Sequence, residues 1–368
     1  GWNYEGTKNN YKTFLIKIKM AEILYNKINR EVLIQNMLQS KELRTTLSFY
    51  RYVNIPNPWL FRDHLYTILS SINVLGRIYL AHEGINGQIS VPTERLNEFK
   101  NKLNEIEYLK NIRLNIAIED NGKSFFKLKI KVRNKIVADG LSDLQFDASK
   151  SGKHLNAVEF NELTDQLDTI VVDMRNHYES EVGKFENALT PDVTTFREAL
   201  PTVATMLEDK KDQHIVMYCT GGIRCEKASA YMKHLGFKNI YQLDGGIIEY
   251  TNQIKSLGIK NKFIGKNFVF DERLGERISE TIISTCHQCG IPSDRHVNCL
   301  NDQCHILFIQ CGVCAEKYSH CCSVKCLEFE QLDAEQKANL KNKLIFNGTQ
   351  FSKGRYKALG KDDHLILD

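Results

Sequence analysis

No stretch of the 368-residue chain keeps the roughly 18 consecutive apolar residues needed to cross a bilayer, so the sequence does not read as membrane-spanning. The opening GWNYEGTKNN lacks the basic start, apolar core and small-residue cleavage site of a secretory signal, and the expectation is a cytoplasmic protein. Neither sign of charge dominates. Lys plus Arg number 49 and Asp plus Glu 45, and the +4 excess is too mild to imply a polyanionic partner unless it is concentrated locally. The HExxH motif, a facial His/carboxylate triad, GxGxxG, the Walker loop and the HxE…PCxxC deaminase signature are all missing. No iron, flavin or nicotinamide site is therefore evident. Internal repeats and low-complexity tracts are absent too. What remains is an ordinary globular composition, 42% hydrophobic and 26% charged, with length enough for two or three domains.

The rhythm of the chain divides it further. Residues 1–45 read as a helical extension, with Met20, Ile23, Leu24, Ile28, Val32, Leu33 and Met37 at helical spacing. Over 46–145, SFYRYVNI predicts a strand, and Pro56 and Pro58 break it before a helix from Leu60 to Ile72. RIYLAHEGINGQISV predicts two strands about a turn at Gly84 to Gly87, and ERLNEFKNKLNEIE predicts a helix. A last strand pair around Asn121 and Gly122 completes a β-α-β-β-α-β order, that of a ferredoxin-like (acylphosphatase-like) fold. Residues 158–258 alternate strand and helix, and the apolar runs TIVVDM and HIVMYC suit a buried parallel sheet. A Cys-rich segment (262–330) and a charged tail (331–368) follow. The fold class is thus multidomain α/β and α+β, with a zinc-ribbon-like C-terminal segment.

Tyr218-Cys219-Thr220-Gly221-Gly222-Ile223-Arg224-Cys225 lies where a buried strand hands over to a helix. Backbone N–H groups and the positive end of a helix dipole favour thiolate over thiol there. Gly221 and Gly222 let successive N–H groups face one anionic point, and Arg224 adds a cation. The blander reading is a buried strand-end cysteine beside an ordinary glycine turn. Cys225 is either a resolving thiol for Cys219 or a small apolar residue on the helix.

Nine of the eleven cysteines crowd between Cys286 and Cys326. In a long chain without a secretory signal, such clustering points to metal ligation or thiol chemistry rather than a disulfide scaffold. Cys286-x-x-Cys289 and Cys311-x-x-Cys314, 21 residues apart, suit one tetrahedral zinc. A second site would draw on Cys299, Cys304, Cys321, Cys322 and Cys326, with His287, His296, His305 or His320 as substitutes. Free thiols serving redox exchange are the alternative.

In KSFFKLKIKVRNKI the cations Lys127, Lys129, Lys131, Arg133 and Lys135 alternate with Leu128, Ile130, Val132, Asn134 and Ile136. On a strand this places five cations on one face, a row able to track phosphates. A lysine-protected edge strand has the same pattern. Phe49, Tyr50, Tyr52, Phe125 and Phe126 are neighbouring aromatics for base stacking or for the core.

The cysteine, four residues and arginine between strand and helix resemble a rhodanese domain, together with Asp173-Met174-Arg175 ending an earlier strand and Glu179, Gly183 and Ala188 after it. In that family the loop cysteine carries a persulfide. The six-residue loop from Cys219 to Arg224 is closer to the sulfur-handling members than to phosphatase-like relatives, whose loop is one residue longer. More extensively, TLSFYRYVNI, GRIYLAHEGINGQISV, GKSFFKLKIKVRNKIVADG, VVDMRNHYESEVGKFENA, VMYCTGGIRCEKASAYM, GGIIEY, FIGKNFVFDERLGERI and CHQCG…CHILFIQCGVCAEKY…CCS resemble the bacterial rhodanese-containing tRNA uridine hydroxylases, from about Ile28 to about Cys326. The resemblance implies oxygen-dependent formation of 5-hydroxyuridine at the tRNA wobble position, with tRNA bound at its anticodon region and Cys219 catalytic. Asp173 and Arg175 are then a structural or loop-orienting pair. A plain sulfurtransferase and a non-catalytic tRNA-binding adaptor are the competing readings.

Overall fold

The computed structural model describes residues 28–141, 150–340, 343–348, 355–357 and 364–365. Met20, Ile23 and Leu24 of the expected N-terminal helix, and part of the charged tail, lie outside these residues. The chain divides into two compact units: residues up to Ala138 with Phe270–Arg273, and Asp139–Val269 with Leu274 onward.

Among the described residues, the first elements of the first unit are α1 (Arg30–Gln39), capped by Asn29, and β1 (Arg44–Tyr52). Asn57 caps α2 (Pro58–Ser71), and Pro58 occupies the first turn, where its missing N–H costs nothing. The buried Phe61, Leu65 and Leu69 of α2 recur at four-residue spacing, which gives the helix one apolar stripe. β2 (Leu75–Ala81) and β3 (Gly84–Pro92) form a hairpin, followed by α3 (Leu96–Asn104), β4 (Asn115–Ile116) and β5 (Leu128–Val132). The sheet order is β4-β1-β3-β2-β5, antiparallel throughout except for β5 beside β2. Its core joins Leu47, Phe49, Ile78, Leu80, Ile85, Ile89 and Ile130 to Phe61, Leu65 and Phe99 of the helices.

The first unit departs from two of the sequence expectations. The hairpin turn is His82-Glu83, since Ala81 pairs with Gly84, and Gly84 and Gly87 belong to β3. The stretch at Asn121 and Gly122 does not join a paired hairpin: β4 and β5 lie on opposite edges of the sheet. β5 is thus a fifth strand added to the four-stranded ferredoxin-like order, a placement that local turn residues do not encode.

In the second unit β6 (Lys153–Leu155) begins ahead of the expected 158 boundary. It is followed by α4 (Ala157–Thr164), β7 (Thr169–Asp173), α5 (His177–Ser180), β8 (Gly183–Phe185) and α6 (Phe196–Met206). Then come β9 (His214–Tyr218), α7 (Ile223–His234), β10 (Asn239–Leu243) and α8 (Gly246–Leu257). The sheet β6-β10-β9-β7 is wholly parallel, as its continuous apolar runs predict. β11 (Phe263–Asn267) pairs antiparallel with both β8 and β12 (Glu276–Arg277). Phe185 packs edge-on against Tyr218, Tyr250 and Phe263, with ring centroids 4.8, 4.8 and 5.2 Å away. The Cys-rich segment holds the antiparallel pair β13 (His296–Asn298) and β14 (Leu307–Ile309), then α9 (Gly312–Lys317), α10 (Val324–Gln331) and α11 (Ala334–Leu340). Among the described residues no helix is long and apolar enough to cross a membrane.

Candidate active site

Strand β9 is buried from Ile215 to Tyr218 and delivers Cys219, itself fully buried, to the turn before α7. Gly222 takes φ +99°, a conformation that suits glycine, and its N–H donates to Cys219 Sγ at 3.1 Å. The other side of the loop is clamped by α8. Gly246, at φ +66°, comes so close that a Cβ would sit 2.5 Å from the Cys219 carbonyl oxygen and 2.6 Å from that of Thr220. That approach lets the Ile247 and Ile248 N–H groups donate to the same two carbonyls at 3.0 and 3.2 Å.

Burial by itself would raise the Cys219 pKa. The Cys225 thiol hydrogen bond, the Arg224 charge and the N–H groups of Cys225 and Arg224 outweigh it and bring the pKa down to about 6. Burial and the adjoining Cys219 push Cys225 well above the ordinary thiol range, so it stays protonated and donates to its neighbour. The site therefore holds a thiolate at neutral pH. In the difference between wild type and Cys219→Ser, ultraviolet thiolate absorbance should rise across about pH 5–7 and then level off, where an ordinary thiol rises near 8.5. A midpoint above 8 would contradict this assignment.

Arg224 is fixed by a carboxylate that spacing alone does not reveal. Glu179, on the single turn α5, accepts from both terminal guanidinium nitrogens at 2.7 and 2.9 Å and from the Asn176 N–H at 3.1 Å. Burial pushes the Glu179 carboxyl up, but Arg224, then Arg175 and the Asn176 N–H, hold it below the usual range. Thr220 Oγ1 joins the pair, accepting from Arg224 at 3.3 Å and donating to Glu179 at 3.4 Å. Glu179 appears in the sequence only as part of the rhodanese resemblance, and its role is the main one that sequence reasoning missed.

Asp173 and Arg175, both fully buried, form a second ion pair, 2.7 Å from Nη2 to Oδ2. Arg175 also donates to the Gly183 carbonyl at 2.6 Å, and the Tyr218 hydroxyl donates to Asp173 Oδ2 at 2.7 Å. Through Tyr218 this pair ties the end of β7 to the end of β9.

The cysteines separate into two groups, Cys286, Cys289, Cys311 and Cys314, and Cys299, Cys304, Cys322 and Cys326, with all sulfurs in each within 4.8 Å of one another. The first is the pairing expected from spacing. From the second pool Cys321 drops out, and none of His287, His296, His305 or His320 enters either group. Cys321 instead presents its backbone carbonyl to the Gln288 and Gln310 amides, each at 3.1 Å. Sulfur separations of 3.6 Å for Cys289–Cys311, 3.6 Å for Cys304–Cys322 and 3.7 Å for Cys322–Cys326 are far beyond a disulfide. They approach the roughly 3.8 Å edge of a tetrahedron with Zn–S bonds of about 2.3 Å. Each group can hold a metal ion.

Of the five cations in the basic row only Lys129 and Lys131 lie within β5; Lys127 precedes it, and Arg133 and Lys135 follow its end. The uniform five-residue face is thereby corrected, because the strand stops at Val132. Lys127 and Arg133 stand over the rings of Phe126 and Tyr79, at 5.7 and 5.8 Å. Partial burial and the neighbouring Lys131 lower the Lys129 pKa. Register adds a cation the row did not include: Arg77 of β2 lies opposite Lys129, and Tyr79 opposite Lys131. Phe49 and Phe125 are core, whereas Tyr50 and Tyr52 are half-buried.

Family models match three stretches of the chain: a UPF0176 acylphosphatase-like domain at 44–136, a rhodanese-like domain at 156–253 and a rhodanase C-terminal domain at 264–327. A tRNA uridine(34) hydroxylase of Escherichia coli O6:K15:H31 is 56% identical over 307 residues, 83% of this chain and 88% of that protein. Those of Escherichia fergusonii and Photorhabdus laumondii subsp. laumondii are each 53% identical, over 87% and 91% of this chain and 91% and 96% of their own lengths. Among solved structures, a rhodanese-like domain protein from Staphylococcus aureus is 23% identical over 27% of this chain and 90% of its own, with a TM-score of 0.23. With similarity above half identity across most of its length, on top of a thiolate loop of this geometry, the chain belongs to the tRNA uridine(34) hydroxylase family.

Proposed function

We propose that this protein hydroxylates C5 of uridine 34 in tRNA, with molecular oxygen as co-substrate and Cys219 as the catalytic thiolate. The observation that carries the reading is a buried loop cysteine whose sulfur accepts from the Gly222 N–H at 3.1 Å on the loop of the fixed Arg224 cation, in a chain whose relatives are named for that reaction. Thiolate attack at C6 saturates the C5–C6 bond and leaves an enolate whose C5 is nucleophilic toward oxygen. Elimination of Cys219 from C6, with loss of the C5 proton, releases 5-hydroxyuridine and the free thiolate. One oxygen atom enters the base and the other leaves as water, which requires two electrons and two protons from an external reductant. The Arg224 guanidinium and the loop N–H groups stabilise anionic sulfur, and Cys225 serves as a hydrogen-bond donor to it. Such chemistry belongs in the cytoplasm, where tRNA resides, and the four-sulfur groups suit structural zinc.

Nucleoside mass spectrometry on unmodified tRNA incubated with the protein tests the reading. One added oxygen on uridine, in air and not anaerobically, is the expected result. Sulfur in place of oxygen would move the assignment to tRNA thiolation. Thiocyanate formation from thiosulfate without a tRNA product would favour a plain sulfurtransferase.

The ferredoxin-like sheet is the proposed tRNA platform. Opposite the helices, register aligns Ser48, Gln88, Arg77 and Lys129 in one cross-strand row and Tyr50, Asn86, Tyr79 and Lys131 in the next. Cations and aromatic rings together suit phosphate contact and base stacking. Replacing both Lys129 and Lys131 by alanine should weaken tRNA binding and flatten its log–log salt dependence by roughly one to two. An unchanged slope would remove β5 from the interface.

A further inference from the structure

We infer that the Cys-rich segment binds two zinc ions in an interlocked, cross-braced arrangement in which each ion fastens the chain segments that hold the other. The inference rests on reading the two four-cysteine groups as zinc sites.

The order of ligands along the chain carries it. Cys286 and Cys289 serve the first group, Cys299 and Cys304 the second, Cys311 and Cys314 the first again, and Cys322 and Cys326 the second. Neither site can close until the chain has passed through the other. The hairpin β13–β14 lies between them: Asn298 pairs with Leu307 at the end that leads to Cys299, and His296 pairs with Ile309 at the end that leads to Cys311. The groups therefore sit toward opposite ends of one short two-stranded ribbon, too small to be stable alone.

Donors aimed at sulfur support thiolate ligation at both groups. The Cys311 and Cys314 N–H groups donate to Cys286 and Cys311 Sγ, both at 3.4 Å. In the second group the N–H groups of Cys322 and Gly348 donate to Cys299 and Cys304 Sγ, both at 3.3 Å, and the Asn301 amide donates to Cys326 Sγ at 3.5 Å. Such outer partners orient and stabilise metal-bound thiolates. A physical link also runs from one group to the other. The fully buried Gln310 amide, next to ligand Cys311, donates to Gln288 Oε1 inside the first CxxC at 2.9 Å. It donates as well to the carbonyl of Cys321, next to ligand Cys322, at 3.1 Å.

The test is metal analysis of the full chain with zinc release to a chromogenic chelator. Wild type and Cys321→Ser should each carry two zinc ions per chain and release both in one kinetic phase. In Cys289→Ser, which removes the one exposed ligand, at most one ion should remain, released at least about tenfold faster than in wild type. Cobalt substitution should show tetrahedral thiolate bands of twofold intensity in wild type. Absence of zinc would defeat the zinc reading itself. Two ions released independently, an unchanged release rate in Cys289→Ser, or loss of an ion in Cys321→Ser would leave zinc in place and overturn the interlock.

Discussion

Cys219→Ser is expected to lower uridine hydroxylation by about a thousandfold or more, on the order seen when a covalent nucleophile is removed, with tRNA affinity unchanged within about twofold. The sulfur is enclosed by the loop and contacts its N–H donors, so a hydroxyl of similar size keeps the packing. What is lost is the anion. A serine hydroxyl stays protonated where the cysteine, with its pKa near 6, is ionised. Single-turnover assays with parallel binding measurements decide the matter: hydroxylation retained in this variant would end the thiolate mechanism.

Glu179→Gln should be strongly destabilising although it touches neither the sulfur nor the cysteine clusters. It leaves Arg224 buried without its carboxylate, and breaking a buried pair in this way costs roughly 3–5 kcal/mol. For a unit of this size that corresponds to a fall in Tm of roughly 10 °C. The sign with pH follows from the lowered carboxyl pKa. The stabilisation is complete above the unfolded carboxyl value near 4.3 and is lost as pH falls through the lower folded value. The gap between wild type and variant should therefore be full at neutral pH and shrink in acid, as read by urea unfolding at several pH values. Glu179→Asp, which retains the charge, should recover part of the stability. A Gln variant as stable as wild type at neutral pH would show that the pair contributes little.

These two expectations draw on different layers of information. Cys219, the glycine pair and Arg224 are legible in sequence because the cradle is local: a strand end, a left-handed glycine and a helix start within a few residues generate the N–H groups that face the sulfur. Glu179 is not legible in that way, since it lies 45 residues from Arg224 and meets it only because β7 and β9 pair side by side. The clamp from Gly246 has the same origin: its value lies in a backbone approach between elements, and its spacing from Cys219 carries no signal.

The sheet and the metal groups divide similarly. Alternation predicted a cationic strand, but the end of β5 at Val132 and the cross-strand position of Arg77 depend on which neighbour the strand chooses. Cys286-x-x-Cys289 and Cys311-x-x-Cys314 announce themselves by spacing, whereas the partition of the remaining five cysteines does not. Cys321 and Cys322 are adjacent in sequence and both buried, yet only the Cys322 sulfur meets Cys304 and Cys326 in a four-sulfur group. The sequence by itself determined what short segments carry: a cysteine and glycine pair at a strand-to-helix turn, two CxxC pairs spaced to share one metal ion, and most of the element types around them. Only the tertiary structure decided the partners: Glu179 for Arg224, Arg77 beside Lys129, and the interleaved cysteine quartets. Local spacing sets dihedral angles and hydrogen bonds over a few residues, whereas long-range pairing follows from how strands and helices close around a shared core.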